Sequence, residues 1–176
     1  VTSRDIPDPG FADDDGAPDP VLRAALDARA QGRVPATEVL GLLAGARLLV
    51  PVVAVLGEVE VDEAGLAHDK SSDMAAVLVT GADGRTALLA FTGADAMAAW
   101  DPQARPVPVT AATAATAALQ EGAAALAVDL AGPAPYVLTG PDLEAVAAGW
   151  RLVRVDGRLA WVGASPDGPG DSPVPE

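Results

Sequence analysis

Cysteine and asparagine are absent from this chain, and histidine, lysine and isoleucine occur once each, as His68, Lys70 and Ile6. Without cysteine there is no disulfide, no thiolate metal site and no cysteine nucleophile. One histidine and no cysteine give no set of ligands for a transition metal, so no metal and no cofactor is expected. Aromatic residues make up only 3% of the chain, and the core must therefore rest on close packing of small side chains. Basic residues are scarce, 11 against 25 acidic, for a net charge of −14. That balance argues against nucleic acid and against an anionic membrane surface, and it serves most simply to keep the surface soluble. The most apolar run, LLVPVVAVL at 48–56, is far too short to cross a bilayer as a helix. No basic segment followed by an apolar one opens the chain, so no signal peptide is expected and the cytoplasm is the expected compartment.

What is present is a chain of 176 residues, half of them hydrophobic and mostly Ala, Val and Leu, a length that suits one domain. Residues 1–18, rich in Asp, Pro and Gly, read as a flexible acidic arm; 19–162 read as the folded domain; 163–176 read as a disordered Pro/Gly tail. DDDG at 13–16 lacks the alternating acidic spacing and the later Glu of an EF-hand loop, so calcium is not expected.

Asp19-Pro20 predicts a helix start, and Leu22, Ala25 and Leu26 continue it to about residue 30. A second helix is predicted over 36–45, with Val39, Leu40 and Leu43 on one face. The branched run after Arg47 reads as a strand covered on both faces, although Pro51 belongs by habit at a sheet edge or a bulge. Two Asp-Gly pairs, Asp83-Gly84 and Asp156-Gly157, each lie between apolar runs and predict hairpins with tight turns. Short helices are predicted at 93–100, 110–121 and 141–148, strands at 124–130 and 135–140, and an extended segment across DPQARPVPV. Helices and strands intermingle without βαβ regularity. The expected fold is therefore α+β, a mixed or mainly antiparallel sheet with short helices packed on it.

The segments RDIPDPGF at 4–11, ARLLVPVV through LLAFT at 46–92, WDPQARPVP at 100–108 and GWRLVRVDG at 149–157 resemble the SseB-like proteins, in their N-terminal domain and in its actinobacterial form. The resemblance covers roughly residues 4–160 and implies a small cytoplasmic α+β domain. It carries over no catalytic or ligand-binding residue.

Among candidate sites, HDKSSD at 68–73 concentrates the only His and Lys with two hydroxyls and two carboxylates. His68 as base, Asp69 or Asp73 as orienting group and Ser71 or Ser72 as nucleophile would make a catalytic set, but adjacent residues seldom converge on one reacting atom. No nucleophile elbow, Ser-x-x-Lys pair, Walker loop or dinucleotide fingerprint supplies a context. The same side chains can instead satisfy loop amides, or Lys70 with Ser71 and Ser72 can hold a small anion, supported by Arg47 or Arg85. Trp100, Trp150, Trp161, Tyr136 and Phe91 read as core or core-edge residues, with Trp100 as an alternative groove wall. The expected function is a non-enzymatic protein-interaction or regulatory module whose partner is another protein. The alternative is a domain that binds an anionic metabolite or an amino acid at 68–73.

Overall fold

The computed structural model describes residues 10–55 and 73–163. Its helices begin where the local chemistry places them. The Asp19 carboxylate accepts from the amides of Val21 and Leu22 at 2.7 and 3.0 Å, starting α1 (Pro20–Ala30) and burying Leu22, Ala25 and Leu26. Its end is a left-handed Gly32, with Gly32 N–H donating to Arg29 C=O and Arg33 N–H to Ala28 C=O. α2 (Ala36–Ala44) buries Val39, Leu40 and Leu43. α3 (Ala94–Trp100) is short, α4 (Ala111–Gln120) is capped by Thr110 and buries four alanines, and α5 (Gly140–Ala147) buries Leu143, Ala145 and Val146.

Two sheets meet along one line. β1 (Arg47–Val55) pairs antiparallel with β2 (Asp73–Ala76) on one side and with β5 (Arg105–Thr110) on the other. The second sheet has the order β3 (Leu78–Thr80), β4 (Thr86–Ala90), β6 (Ala125–Val128), β7 (Tyr136–Thr139), in which only β4 and β6 run parallel. Leu49 and Phe91 exchange two backbone hydrogen bonds of 2.8 Å and join the sheets. The domain is α+β, with short helices on a mixed, largely antiparallel sheet, as its sequence predicts.

Pro51 departs from expectation, for it lies in a central strand rather than at an edge or bulge. Its backbone points the same way as that of Leu49, toward β4 and β2. At that level the strand from Asp73 to Thr80 leaves β1 and joins β4, where Val77 C=O accepts from Leu89 N–H at 3.0 Å. A residue without an N–H fits the crotch of this fork, because no acceptor stands opposite it. Pro106 and Pro108 lie opposite Pro51 and Leu49, so their nitrogens face outward and leave the outer edge of β5 short of donors.

The two Asp-Gly hairpins form with different turns. Asp156 and Gly157 both take positive φ, 49° and 77°, giving a two-residue turn between β8 (Arg151–Val155) and β9 (Arg158–Val162). At the other, only Gly84 is left-handed, and Gly81 N–H donates to Arg85 C=O, so the loop holds one more residue and ends in a bulge. The β8–β9 hairpin lies against α2, with Leu152 and Trp161 on the core and the Trp161 indole N–H bonded to Asp142 at 3.0 Å.

The main core fills the space between the helices and one sheet face, through Leu48, Val50, Leu88, Leu126, Val128 and Leu138. On the opposite face a smaller cluster gathers Leu49, Leu89, Phe91, Met97 and Ala127, with Trp100 against Phe91 at a ring separation of 5.7 Å.

Replacing Pro106 and Pro108 together by Val restores donors to the edge of β5. The double variant is expected to self-associate more strongly than the parent in light scattering; an unchanged mass would contradict the edge-blocking role.

Candidate functional site

Sites in sheets with parallel strands lie at the strands' carboxyl ends. Here those ends belong to β4 and β6, followed by Thr92 and Asp129. They are 1% and 5% exposed, the only buried polar side chains among the described residues. Asp129 accepts from the Thr92 amide at 2.8 Å and from the Thr92 hydroxyl at 2.7 Å. Its backbone is left-handed, φ 51°, a conformation that Asp tolerates better than most residues. Burial pushes the Asp129 carboxyl above the ordinary carboxylate range, and the two Thr92 bonds only partly offset that.

Beside Asp129 lies a cavity of about 190 Å³, walled by Arg23 and Asp27 of α1, Asp95 of α3 and the loop through Gly132 and Pro133. One terminal nitrogen of Arg23 donates to both oxygens of Asp95, at 2.9 and 3.0 Å, while its Nε is buried without a partner. Partial burial raises the Asp95 pKa, but the Arg23 bond and the Ala96 amide outweigh it and the net shift is downward. The cavity thus carries both signs of charge.

Next to it, Arg47 pins residues 14–17 onto the turn between β4 and α3. Its Nε pairs with Asp14 at 2.6 Å, and its terminal nitrogens donate to Ala17 C=O at 2.6 Å and Thr92 C=O at 3.0 Å. On the far face of the second sheet, where α3 does not reach, an apolar groove of about 280 Å³ has Ala87, Ala125 and Ala127 as its floor. Val79, Leu130 and Val137 line it, and Thr80, Asp83, Arg85 and Thr139 form polar parts of its border.

Of the residues singled out from the sequence, His68, Asp69, Lys70, Ser71 and Ser72 lie outside the described residues. Asp73 is described as the first residue of β2, opposite Val55. Arg47 and Arg85 stand at opposite ends of β4, Arg47 holding Asp14 and the exposed Arg85 paired with Asp83 at 2.7 Å. Trp100 packs on Phe91 rather than standing free. Arg23, Thr92, Asp95 and Asp129 come together from three segments of the chain, Thr92 and Asp95 lying three residues apart, and the sequence alone does not single them out. The one trace of them in the sequence is an Asp placed directly after the apolar run ALAV.

Among the described residues these observations define a small α+β domain with one parallel strand pair, a polar junction at its carboxyl end and a sheet face that no described helix covers fully. A family model for the SseB protein N-terminal domain matches residues 22–145, and the chain belongs to that family. No curated protein and no solved structure matches it. No described helix is long and apolar enough to cross a membrane, and no metal-holding cluster of acidic and histidine side chains occurs among the described residues.

Asp129 supplies a pH prediction with a definite sign. Its folded pKa lies above the unfolded value of about 3.9, so its contribution to stability is fully present below that value and is lost as pH rises through the folded pKa. Asp129→Asn keeps an acceptor for Thr92, and its melting temperature is expected to gain on the parent's across that window and run parallel above it. Asp129→Ala leaves the Thr92 amide unpartnered and is expected to cost about 1–3 kcal/mol in denaturant unfolding. Parallel curves for Asp129→Asn and the parent throughout would contradict this account.

Proposed function

We propose that this chain is a non-enzymatic interaction or regulatory module of the cytoplasm that docks a partner protein on the uncovered half of its second sheet. The observation that carries the reading is the groove. Its floor is three alanines, and Val137 and Leu130 beside it are 53% and 44% exposed. Contiguous exposed apolar surface of this kind marks interaction sites, and small floor residues leave room for larger side chains from outside. α3, seven residues long, covers the other half of the same face with Met97 and Trp100, so a docked segment would extend an existing cluster. The net charge of −14 opposes a second copy as the occupant and favours a partner whose apolar segment is flanked by Lys or Arg. Thr92 and Asp129 bond each other, Arg23 holds Asp95, and Arg47 holds the arm. A reducing compartment deprives a cysteine-free chain of nothing.

Selection from a displayed random-peptide library on the immobilised protein tests this. Apolar peptides with basic flanks are expected to be enriched and to lose at least about tenfold in affinity, about 1.4 kcal/mol, on Val137→Glu or Leu130→Glu. Both positions are exposed, so the fold should survive. No enrichment, or equal binding to the variants, would overturn the reading; a dimer dissolved by Val137→Glu would replace the partner with a second copy.

A second reading, small-molecule binding, is supported by the cavity beside Asp129. Asp27 and Asp129 line this cavity of about 190 Å³ together with the Arg23–Asp95 pair, a lining of both charge signs that suits a small zwitterion. Titration with free glycine and alanine should give saturable shifts of the Thr92 and Gly132 amide resonances. Their absence at high millimolar concentration would remove this reading.

A further inference from the structure

Arg47 opens β1 and presents its planar fork of donors along three directions. One donor stays within the domain, on Thr92 C=O; the others reach Asp14 and Ala17. A contact independent of Arg47 completes the arrangement, for Ala94 N–H donates to Gly16 C=O at 2.8 Å. Close approach is built in. A Cβ on Gly93 would stand 2.8 Å from the Pro18 ring, and one on Gly16 would stand 3.1 Å from the Ala94 Cβ. Gly16 is also left-handed, φ 75°, and its own amide is held by Asp14 at 2.7 Å. The bound stretch Asp-Asp-Gly-Ala-Pro is therefore recognised through a carboxylate, two carbonyls and a proline ring laid on a glycine.

Two observations separate this stretch from the domain that holds it. No residue from 10 to 18 is buried, and none belongs to either hydrophobic cluster, so polar contacts and the packing of Pro18 on Gly93 retain it, and its departure leaves both clusters closed. The family match begins at residue 22, so Arg47, Thr92 and Ala94 lie within the matched region and Asp14–Pro18 lie outside it.

We infer that Arg47, Thr92 and Ala94 form a peptide-docking cradle that the chain's own residues 14–18 occupy, and from which a partner segment of the same chemistry displaces them. That segment carries an Asp, two small residues with accessible carbonyls at the second and third positions after it, and then a proline. The cradle is separate from the apolar groove and does not depend on it. Because the arm is tethered, it competes at an effective concentration in the millimolar range, and the cradle is closed to weak binders until the arm is weakened. Net charge opposes exchange of arms between copies.

The test uses full-length chains and a labelled peptide with the sequence of residues 10–19, GFADDDGAPD, read by fluorescence anisotropy. Asp14→Ala weakens the internal arm and leaves the cradle intact; it is expected to bind the peptide at least about tenfold more tightly than the parent. Adding Arg47→Met, or Arg47→Lys, which keeps the charge and loses the fork, should abolish that gain. A peptide with Asn at the position of Asp14 should bind none of the chains, a control that needs no change to the protein. No saturable binding to Asp14→Ala, or equal binding of the Asn peptide, would overturn the proposal. An arm-exchanged dimer that Arg47→Met dissolves would also overturn it, by giving the cradle to a second copy instead of a different partner.

Discussion

The pair of backbone hydrogen bonds between Leu49 and Phe91 holds the two sheets as one surface. Both residues are almost fully buried, 2% and 0% exposed, so neither bond has water as a competitor. Two residues before Leu49 stands Arg47; two after it stands Pro51, at the fork. The residue after Phe91 is Thr92. The structural exception and the polar junction both sit within two residues of this bridge. Its position also decides the two faces: Leu48 and Val50 turn toward the helices, while Leu49 and Phe91 turn toward α3. Losing the bridge would leave the strand from Asp73 to Thr80, which pairs with β1 and then with β4, as the backbone link between the sheets, and would loosen Arg47 of β1 from Thr92.

Small side chains determine how the layers pack. α4 rests on the sheet through Ala111, Ala114, Ala115 and Ala118, all at most 1% exposed, which brings its axis close and leaves no gap for a large residue. On the opposite face the same economy has the reverse effect. Ala87, Ala125 and Ala127 lie flat, Ala127 at the margin of the second cluster, and beyond the reach of the seven-residue α3 the sheet carries a groove. Four aromatics stand where small residues fail, whereas Trp150, expected at the core or its edge, is 44% exposed and belongs to neither cluster. Phe91 and Trp100 fill the second cluster, and Trp161 and Tyr136 sit at its counterpart's margin with their polar ends bonded to Asp142 and Ala36 C=O.

Much of the fold was legible because its signals are local. Asp19-Pro20 starts a helix with its own side chain, Asp156-Gly157 forms its turn with two positive φ angles, and the prolines of 105–108 permit only an extended strand. The fork was not legible, since a proline suited to a sheet edge looks the same at a point where one strand changes partners. The polar junction escaped for a related reason. Contiguous reactive groups are conspicuous in a sequence, whereas Thr92 and Asp129 are 37 residues apart and meet only because β4 and β6 are parallel neighbours. Arg47 and Arg85 are both candidate companions by charge, yet Arg47 opens β1 and reaches Thr92 beyond one end of β4, while Arg85 precedes its other end. Charge type identified candidates; topology decided which of them met.

Burial separates the two parts of this polar network by role. Thr92 directs its amide and hydroxyl inward to Asp129 and its carbonyl outward to Arg47. The inward bonds are sealed, so removing either partner strands a buried donor or a buried carboxylate. The outward bond is different. If residues 14–17 leave, the Arg47 guanidinium still bonds Thr92 C=O, and the groups it releases turn to water, which can hydrate them. No buried polar atom is orphaned by that exchange. A network arranged in this order can trade its outer ligand while its inner pair stays fixed, which makes the arm the exchangeable element and Thr92–Asp129 its permanent anchor.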